Sequence, residues 1–439
     1  MTRDDRRGST FTYEGVDISP ATGEITSRYS LDGRSFHEVV QLSGDLDWTS
    51  PAVPAAARIL FLLSGISYYK TGAPPVIDLG DTPVTAEEIA FLREFYVEGL
   101  GEFSYVNDLP IDDLRIVGGR PDLAEPVPWQ LPEERPLIPF GGGIDSVVVV
   151  EETRRQHPDS SLFIVGRFDP IEDAAAVTGL PIVRASRTLD PQVLRSRELG
   201  FLNGHVPVTG VLSAIAVLAA VLDRRSAVIM SNEWSASAPT VEVDGRGINH
   251  QYSKSLDFEA GFRRMLDAAL PGFRYFSALR PYSELWVAER FAKLTEYHPV
   301  FRSCNRSFHV DPAKRASAWC GECDKCAFID LILAPFMSAE QLRAVFGGHE
   351  PLDRTDMLPK FRGLLGDTAA TKPFECVGDV GECRIALELT AARPDRAGNP
   401  VLDQLRAEQP AVPGPTDRYF APMGEHFIEA PYAADDLLV

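Results

Sequence analysis

The sequence predicts an α/β protein: a parallel sheet with helices on both faces, together with an α+β N-terminal domain. Three observations carry this. Short apolar runs alternate with helical patterns between residues 137 and 231, which is how strands joined by crossover helices read. Two strand-like runs flank Asp32-Gly33-Arg34 near the N-terminus, a hairpin signal. Three glycines, Gly141–Gly143, fall where an apolar run gives way to a helical pattern.

In chain order, residues 9 to 43 read as antiparallel strands, with Thr26–Leu31 and Phe36–Leu42 on either side of the turn. A helix follows from about Pro51, carrying Ile59, Leu60, Leu62 and Leu63. A second begins at Thr85, where Glu88 three residues on completes a capping box. The proline-rich run Pro121–Pro139 reads as a linker. Leu137–Pro139 then leads into the glycines and a helix over Asp145–Gln156. Leu162–Val165 and Pro181–Ala185 read as strands around helical Ile171–Val177, and the helix Val208–Leu222 precedes a strand at Ala227–Ser231. Ile385–Leu389 reads as one more strand. The expected division is an α+β domain over 1–130, the parallel-sheet domain over 131–345, and a segment over 346–439 that completes the site.

Composition narrows the class. With 439 residues the chain can build two or three cores. It carries 63 acidic against 43 basic residues, a net charge of −20. Nucleic-acid backbones are bound by lysine and arginine, so this balance points to a small-molecule partner and away from nucleic acid. The first ten residues hold no apolar run of a secretory signal. The longest apolar stretch, Val206–Leu222, is broken by Pro207, Thr209, Gly210 and Ser213 and is too short for a membrane span. The expectation is a cytoplasmic enzyme with no membrane partner.

The sharpest local signal is Phe140-Gly141-Gly142-Gly143-Ile144-Asp145-Ser146. Glycines permit positive φ and close backbone approach, and a helix starting just after them aims free N–H groups at the turn. Ser146 can add a hydroxyl donor, and Asp145 can orient the loop or help hold Mg²⁺. The plainer alternative is a glycine turn capped by Asp145. The segment resembles the PP-loop of ATP pyrophosphatases, Ser-Gly-Gly-x-Asp-Ser, with Gly141 in place of the first serine. That resemblance implies ATP bound by Gly141, Gly142, Gly143, Asp145 and Ser146, with Ser231-Asn232-Glu233 after a later strand at the same sheet edge.

Cys320-Gly-Glu-Cys323-Asp-Lys-Cys326 contains two overlapping Cys-x-x-Cys spacings, with Cys304 upstream. Four thiolates suit a structural zinc ion; reduced thiols or a redox pair are the alternatives. The cluster resembles the zinc site of 7-cyano-7-deazaguanine synthase, another PP-loop enzyme, with Cys304 set further upstream. Asn249–Ser255 is dense in polar groups, so His250 and Tyr252 are candidate substrate contacts, or parts of a solvated loop. His205 stands just before the apolar helix, where it could reach the sheet edge, although a lone histidine is more often structural.

The whole arrangement resembles the UDP-N-acetyl-α-D-muramoyl-L-alanyl-L-glutamate epimerase family. The segments that carry it are Pro139–Ser146, Ser231–Ser237, Asn249–Ser255, Trp319–Cys326 and Pro373–Gly378. The resemblance implies that ATP and Mg²⁺ adenylate the terminal L-glutamate, that its α-carbon inverts, and that hydrolysis gives the D-glutamate product for peptidoglycan synthesis. Inversion needs a base on one face and an acid on the other. Once four cysteines are assigned to metal, Cys376 and Cys383 remain and can form a thiol pair; His205, His250 and Lys254 are the replacement bases. A tRNA- or nucleobase-modifying PP-loop enzyme and a non-catalytic nucleotide-binding module are the competing expectations.

Overall fold

The computed structural model describes residues 7–121, 125–131, 133–243, 245–309, 312–367, 375, 377–409 and 416–432. Among them run twelve strands: β1 (Thr10–Ser19), β2 (Glu24–Leu31), β3 (Arg34–Ser43), β4 (Val76–Asp78), β5 (Arg115–Val117), β6 (Leu137–Pro139), β7 (Ser161–Val165), β8 (Ile182–Thr188), β9 (Ala227–Met230), β10 (Val241–Val243), β11 (Arg246–Ile248) and β12 (Arg274–Ser277). Strands β10 and β11 form a separate hairpin; the other ten make one sheet in the order β12-β9-β6-β7-β8-β3-β2-β1-β4-β5. Six of its nine pairings are parallel. The N-terminal meander β1–β3 continues the same sheet, because β3 pairs antiparallel with β8. A buried ion pair ties that junction, with Arg187 Nε 2.8 Å from Glu38 Oε1.

Both faces of the sheet are covered, and the strands show it residue by residue. Leu137, Phe163, Val228 and Tyr275 point into one core with the helices Val53–Ser64 and Val208–Leu222. Ile138, Leu162, Ile164, Ile229 and Phe276 point into the other, with Ile144–Gln156 and the C-terminal helices. This alternation is the two-residue period of a strand with an apolar layer on each side, and it makes the central strands uniformly apolar.

Local signals set the helix starts. Thr85 Oγ1 accepts from Glu88 N at 3.1 Å and Glu88 Oε2 accepts from Thr85 N at 2.9 Å, closing the capping box. Ile385–Leu389, expected as a strand, lies inside the helix Val380–Ala391. The Asp379 carboxylate accepts from the N–H groups of Gly381 and Glu382 and starts that helix. Cys383, Ala386, Leu387 and Thr390 form its buried face. Among the described residues no helix is long and apolar enough to cross a membrane.

Candidate active site

Strands β6, β9 and β12 are neighbours and run parallel, so the segments leaving their carboxyl ends meet. Gly141–Ser146 follows β6, Ser231–Glu233 follows β9, and Glu284 opens the helix Glu284–Phe291 after β12. From these segments Gly141, Gly143, Asp145, Ser146, Ser231, Glu233 and Glu284 line one side of a cleft of about 260 Å³. Its other walls come from Gln251 and Lys254, from Arg302, Ser303, Asn305 and Phe308, and from Lys325. The carboxyl edge is where open α/β sheets bind ligands. A larger and mainly apolar cavity of about 520 Å³ lies near β1 and Pro51–Phe61. It contains none of the motif residues, so the smaller cleft is the site of interest.

The glycine turn is shaped by its neighbours. Gly142 has φ +70°, in the left-handed region that a side chain disfavours. A Cβ on Gly143 would stand 2.8 Å from Ser303 Oγ, whereas one on Gly141 would meet open space. Ser146 closes the turn: its Oγ accepts from Gly141 N at 3.3 Å and donates to Gly143 O at 3.2 Å. The helix Ile144–Gln156 begins at Gly143 with no side-chain cap. Its first N–H groups and positive dipole end are therefore turned to the cleft, as an anion site requires.

Opposite stand cations and acids. The chain has seven lysines, and two of them, Lys254 and Lys325, line this cleft. Glu284 is 3% exposed, and its Oε2 has no hydrogen-bond partner among the described residues. Burial, then the charges of Asp145 and Glu233, hold its carboxyl well above the usual carboxylate range. Such a group is stabilised by an added cation.

Arg280 organises this edge from behind. It is 1% exposed and pairs with Glu259 at 2.9 Å. The same guanidinium donates to Glu233 O at 3.0 Å and to Lys254 O at 2.6 Å. Arg280→Ala should lower stability by about 3–5 kcal/mol, the cost of breaking a buried pair, as read by chemical denaturation. A loss below about 1 kcal/mol, the surface-pair range, would contradict this role.

The four cysteine sulfurs Cys304, Cys320, Cys323 and Cys326 lie within 4.8 Å of one another. Cys323 and Cys326 are 3.4 Å apart, Cys320 and Cys326 3.6 Å, and Cys304 and Cys323 4.0 Å. Thiol donation from Cys323 and then Cys326 pushes the Cys304 thiol down, while Cys326 is pushed up by Cys304. This arrangement can hold a tetrahedral thiophilic cation.

Of the other described candidates, Cys383, Tyr252, His205, His250 and Asn232 are not among the residues that line the cleft. Cys376 lies outside the described residues, and Cys383 is fully buried on the helix Val380–Ala391. The Tyr252 hydroxyl donates to Glu94 Oε1 at 2.9 Å. The His205 and His250 rings lie against each other at a tilt of 39°, centroids 4.2 Å apart; burial and then His250 push His205 down to about 4. Asn232 is buried, its N–H donating to Ser277 Oγ at 2.7 Å. Gln251 belongs to the polar segment Asn249–Ser255 that the sequence singles out, whereas sequence reasoning missed Glu284, Arg302, Ser303, Asn305, Phe308 and Lys325. Lys325 sits inside the Cys-x-x-Cys run itself, and Ser303 and Asn305 flank Cys304, so adjacency to the cysteine motif was a usable signal for three of them.

Fold and cleft together define an α/β enzyme with a polar site at the carboxyl edge of a parallel sheet and a separate four-thiol cluster. Residues 2–278 match the family model of the MurL N-terminal domain and residues 300–419 that of the MurL C-terminal domain. The chain is 37% identical to the UDP-N-acetyl-α-D-muramoyl-L-alanyl-L-glutamate epimerase of Salinispora tropica, over 98% of this chain and 95% of the relative. It is 38% identical to that of a Micromonospora species, over 98% of each, and 36% identical to that of Xanthomonas oryzae pv. oryzae, over 96% and 95%. The chain belongs to this epimerase family and is an isomerase. No solved structure matches it.

Proposed function

We propose that this protein uses ATP to invert the terminal glutamate of UDP-N-acetylmuramoyl-L-alanyl-L-glutamate, in the cytoplasm, as a step in making peptidoglycan precursors. The substrate is the one named for its relatives. The use of ATP rests on one observation: an uncapped helix start behind a PP-loop-like glycine turn opens onto a cleft lined by Lys254, Lys325 and Arg302.

The chemistry needs activation. Removing an α-proton beside a free carboxylate makes a dianion. Joining that carboxylate to AMP, with pyrophosphate leaving, cancels one charge and makes the α-proton acidic enough for an ordinary base. A proton is then delivered to the opposite face, and water splits the acyl–phosphate bond to give the D-glutamyl product and AMP. In this reading the Gly141–Gly143 backbone and Ser146 cradle phosphate oxygens, and Lys325 and Arg302 face them. Asp145, Glu233 and Glu284 would hold Mg²⁺, and Glu284 Oε2, without a hydrogen-bond partner among the described residues, fits that role. When bound, the ion would offset phosphate charge. Of the proton-transfer candidates, Lys254 is at the cleft and is the group we assign to one face. The four cysteines would hold a structural zinc ion.

Incubation with ATP, Mg²⁺ and the UDP-muramoyl dipeptide should release AMP and convert L- to D-glutamate, and Lys254→Ala should lose inversion. AMP release without inversion would favour another PP-loop activity, and no AMP at all a nucleotide-binding module.

A further inference from the structure

A second cluster of ligand-type side chains stands apart from both the cleft and the cysteines. Glu102, His205 and His250 come from three distant segments: the helix Gly101–Asn107, the turn before Val208–Leu222, and the residues after β11. One carboxylate oxygen and one nitrogen from each ring lie within 4.8 Å of one another. His250 Nδ1 is hydrogen-bonded to Glu102 Oε2, and His205 Nδ1 is 4.0 Å from the same oxygen. All three are partly buried, with side-chain exposures of 15% for Glu102, 25% for His205 and 13% for His250.

The backbone around the cluster is fixed from several sides. Lys70 Nζ donates to Asn203 Oδ1 at 2.8 Å and to Gly204 O at 3.1 Å. Asn107 Nδ2 donates to Asn203 O at 3.1 Å. A Cβ on Gly204 would stand 3.0 Å from Phe103 Cδ2, so glycine lets the His205 turn lie close against the helix that bears Glu102. On the other side, Arg246 of β11 pairs with Glu98 at 2.9 Å and with Asp112 at 2.5 Å, and His250 N donates to Thr240 Oγ1 at 3.2 Å. These contacts fix the backbone that carries the three side chains, and a metal site is more precise on a fixed backbone.

We propose that Glu102, His205 and His250 form a second metal site, for a divalent first-row cation of the zinc class. Two imidazoles and one carboxylate are a donor set for such ions, leaving a fourth position for water or a ligand oxygen. Bond lengths near 2.0–2.2 Å put tetrahedral ligands roughly 3.3 Å apart, so on binding the His205 nitrogen, now 4.0 Å from Glu102 Oε2, would move in and the hydrogen-bonded Glu102–His250 pair would move apart. Gln251, the residue after His250, lines the cleft, whereas Glu102, His205 and His250 do not. The inference does not depend on the epimerase reading.

The test is a cobalt titration of the full-length protein as isolated. One further equivalent of Co²⁺ is expected, with visible d–d bands and without the near-ultraviolet thiolate charge-transfer band that the cysteine cluster would give. His205→Ala and His250→Ala should abolish this uptake while far-ultraviolet circular dichroism stays unchanged. Glu102→Gln should weaken it, since an amide brings no charge; it also serves if a histidine variant fails to fold. Elemental analysis after zinc loading should give about two ions per chain, against about one in His250→Ala. No uptake beyond the thiolate site, or equal uptake in the folded variants, would overturn the proposal and leave the three residues as a hydrogen-bonded clasp between Gly101–Asn107 and the hairpin.

Discussion

Replacing Asp145 or Ser146 by alanine should reduce AMP formation by at least about a hundredfold, the usual cost of removing a group that stabilises charge at a reacting centre. The melting temperature should move little. Ser146 closes the glycine turn with a contact at each end, and losing two such hydrogen bonds costs about 1–3 kcal/mol in all, too little to unfold a chain with a core on each face of its sheet. Asp145 heads the uncapped helix and raises the Glu284 carboxyl, so its loss changes the charge of the cleft directly. Either variant, folded and forming AMP at the wild-type rate, would remove the glycine turn from the reaction.

The second large effect is expected at the cysteines. Cys320→Ser or Cys323→Ser should take zinc content from about one ion per chain to none at that site and destabilise the protein by more than about 4 kcal/mol, as loss of a structural metal does. Cys323 caps the helix Asp324–Leu333, and Lys325 lies in its first turn between two of the four thiols. The cluster therefore positions a wall of the cleft, and catalysis should fall along with stability. Metal-free protein with unchanged melting would show that the four sulfurs are ordinary thiols.

Much of this was legible in the sequence, and the gaps have physical causes. The glycine turn, the helix after it and the apolar helix Val208–Leu222 are written in local pattern and need no distant partner. Ile385–Leu389 misled because Ile385, Leu387 and Leu389 alternate like a strand, while the deciding signal is the Asp379 cap six residues upstream. The joining of the N-terminal meander to the parallel strands depends on β3 meeting β8 across about 150 residues of chain, which no local period encodes. Likewise His205 and His250 were visible as polar residues in loops, but Glu102 becomes their partner only through the fold. Glu284 is invisible to sequence because its oddity is burial beside Asp145 and Glu233.

In the proposed reaction, inversion runs through an ATP-activated carboxylate. Its most direct test is deuterium incorporation at the glutamate α-carbon, measured by mass spectrometry in D₂O with the UDP-muramoyl dipeptide. Incorporation that requires ATP and Mg²⁺, and that is lost in Asp145→Ala, is the expected result. Incorporation at the same rate without ATP would mean that a base acts on the free carboxylate, and the claim would be wrong.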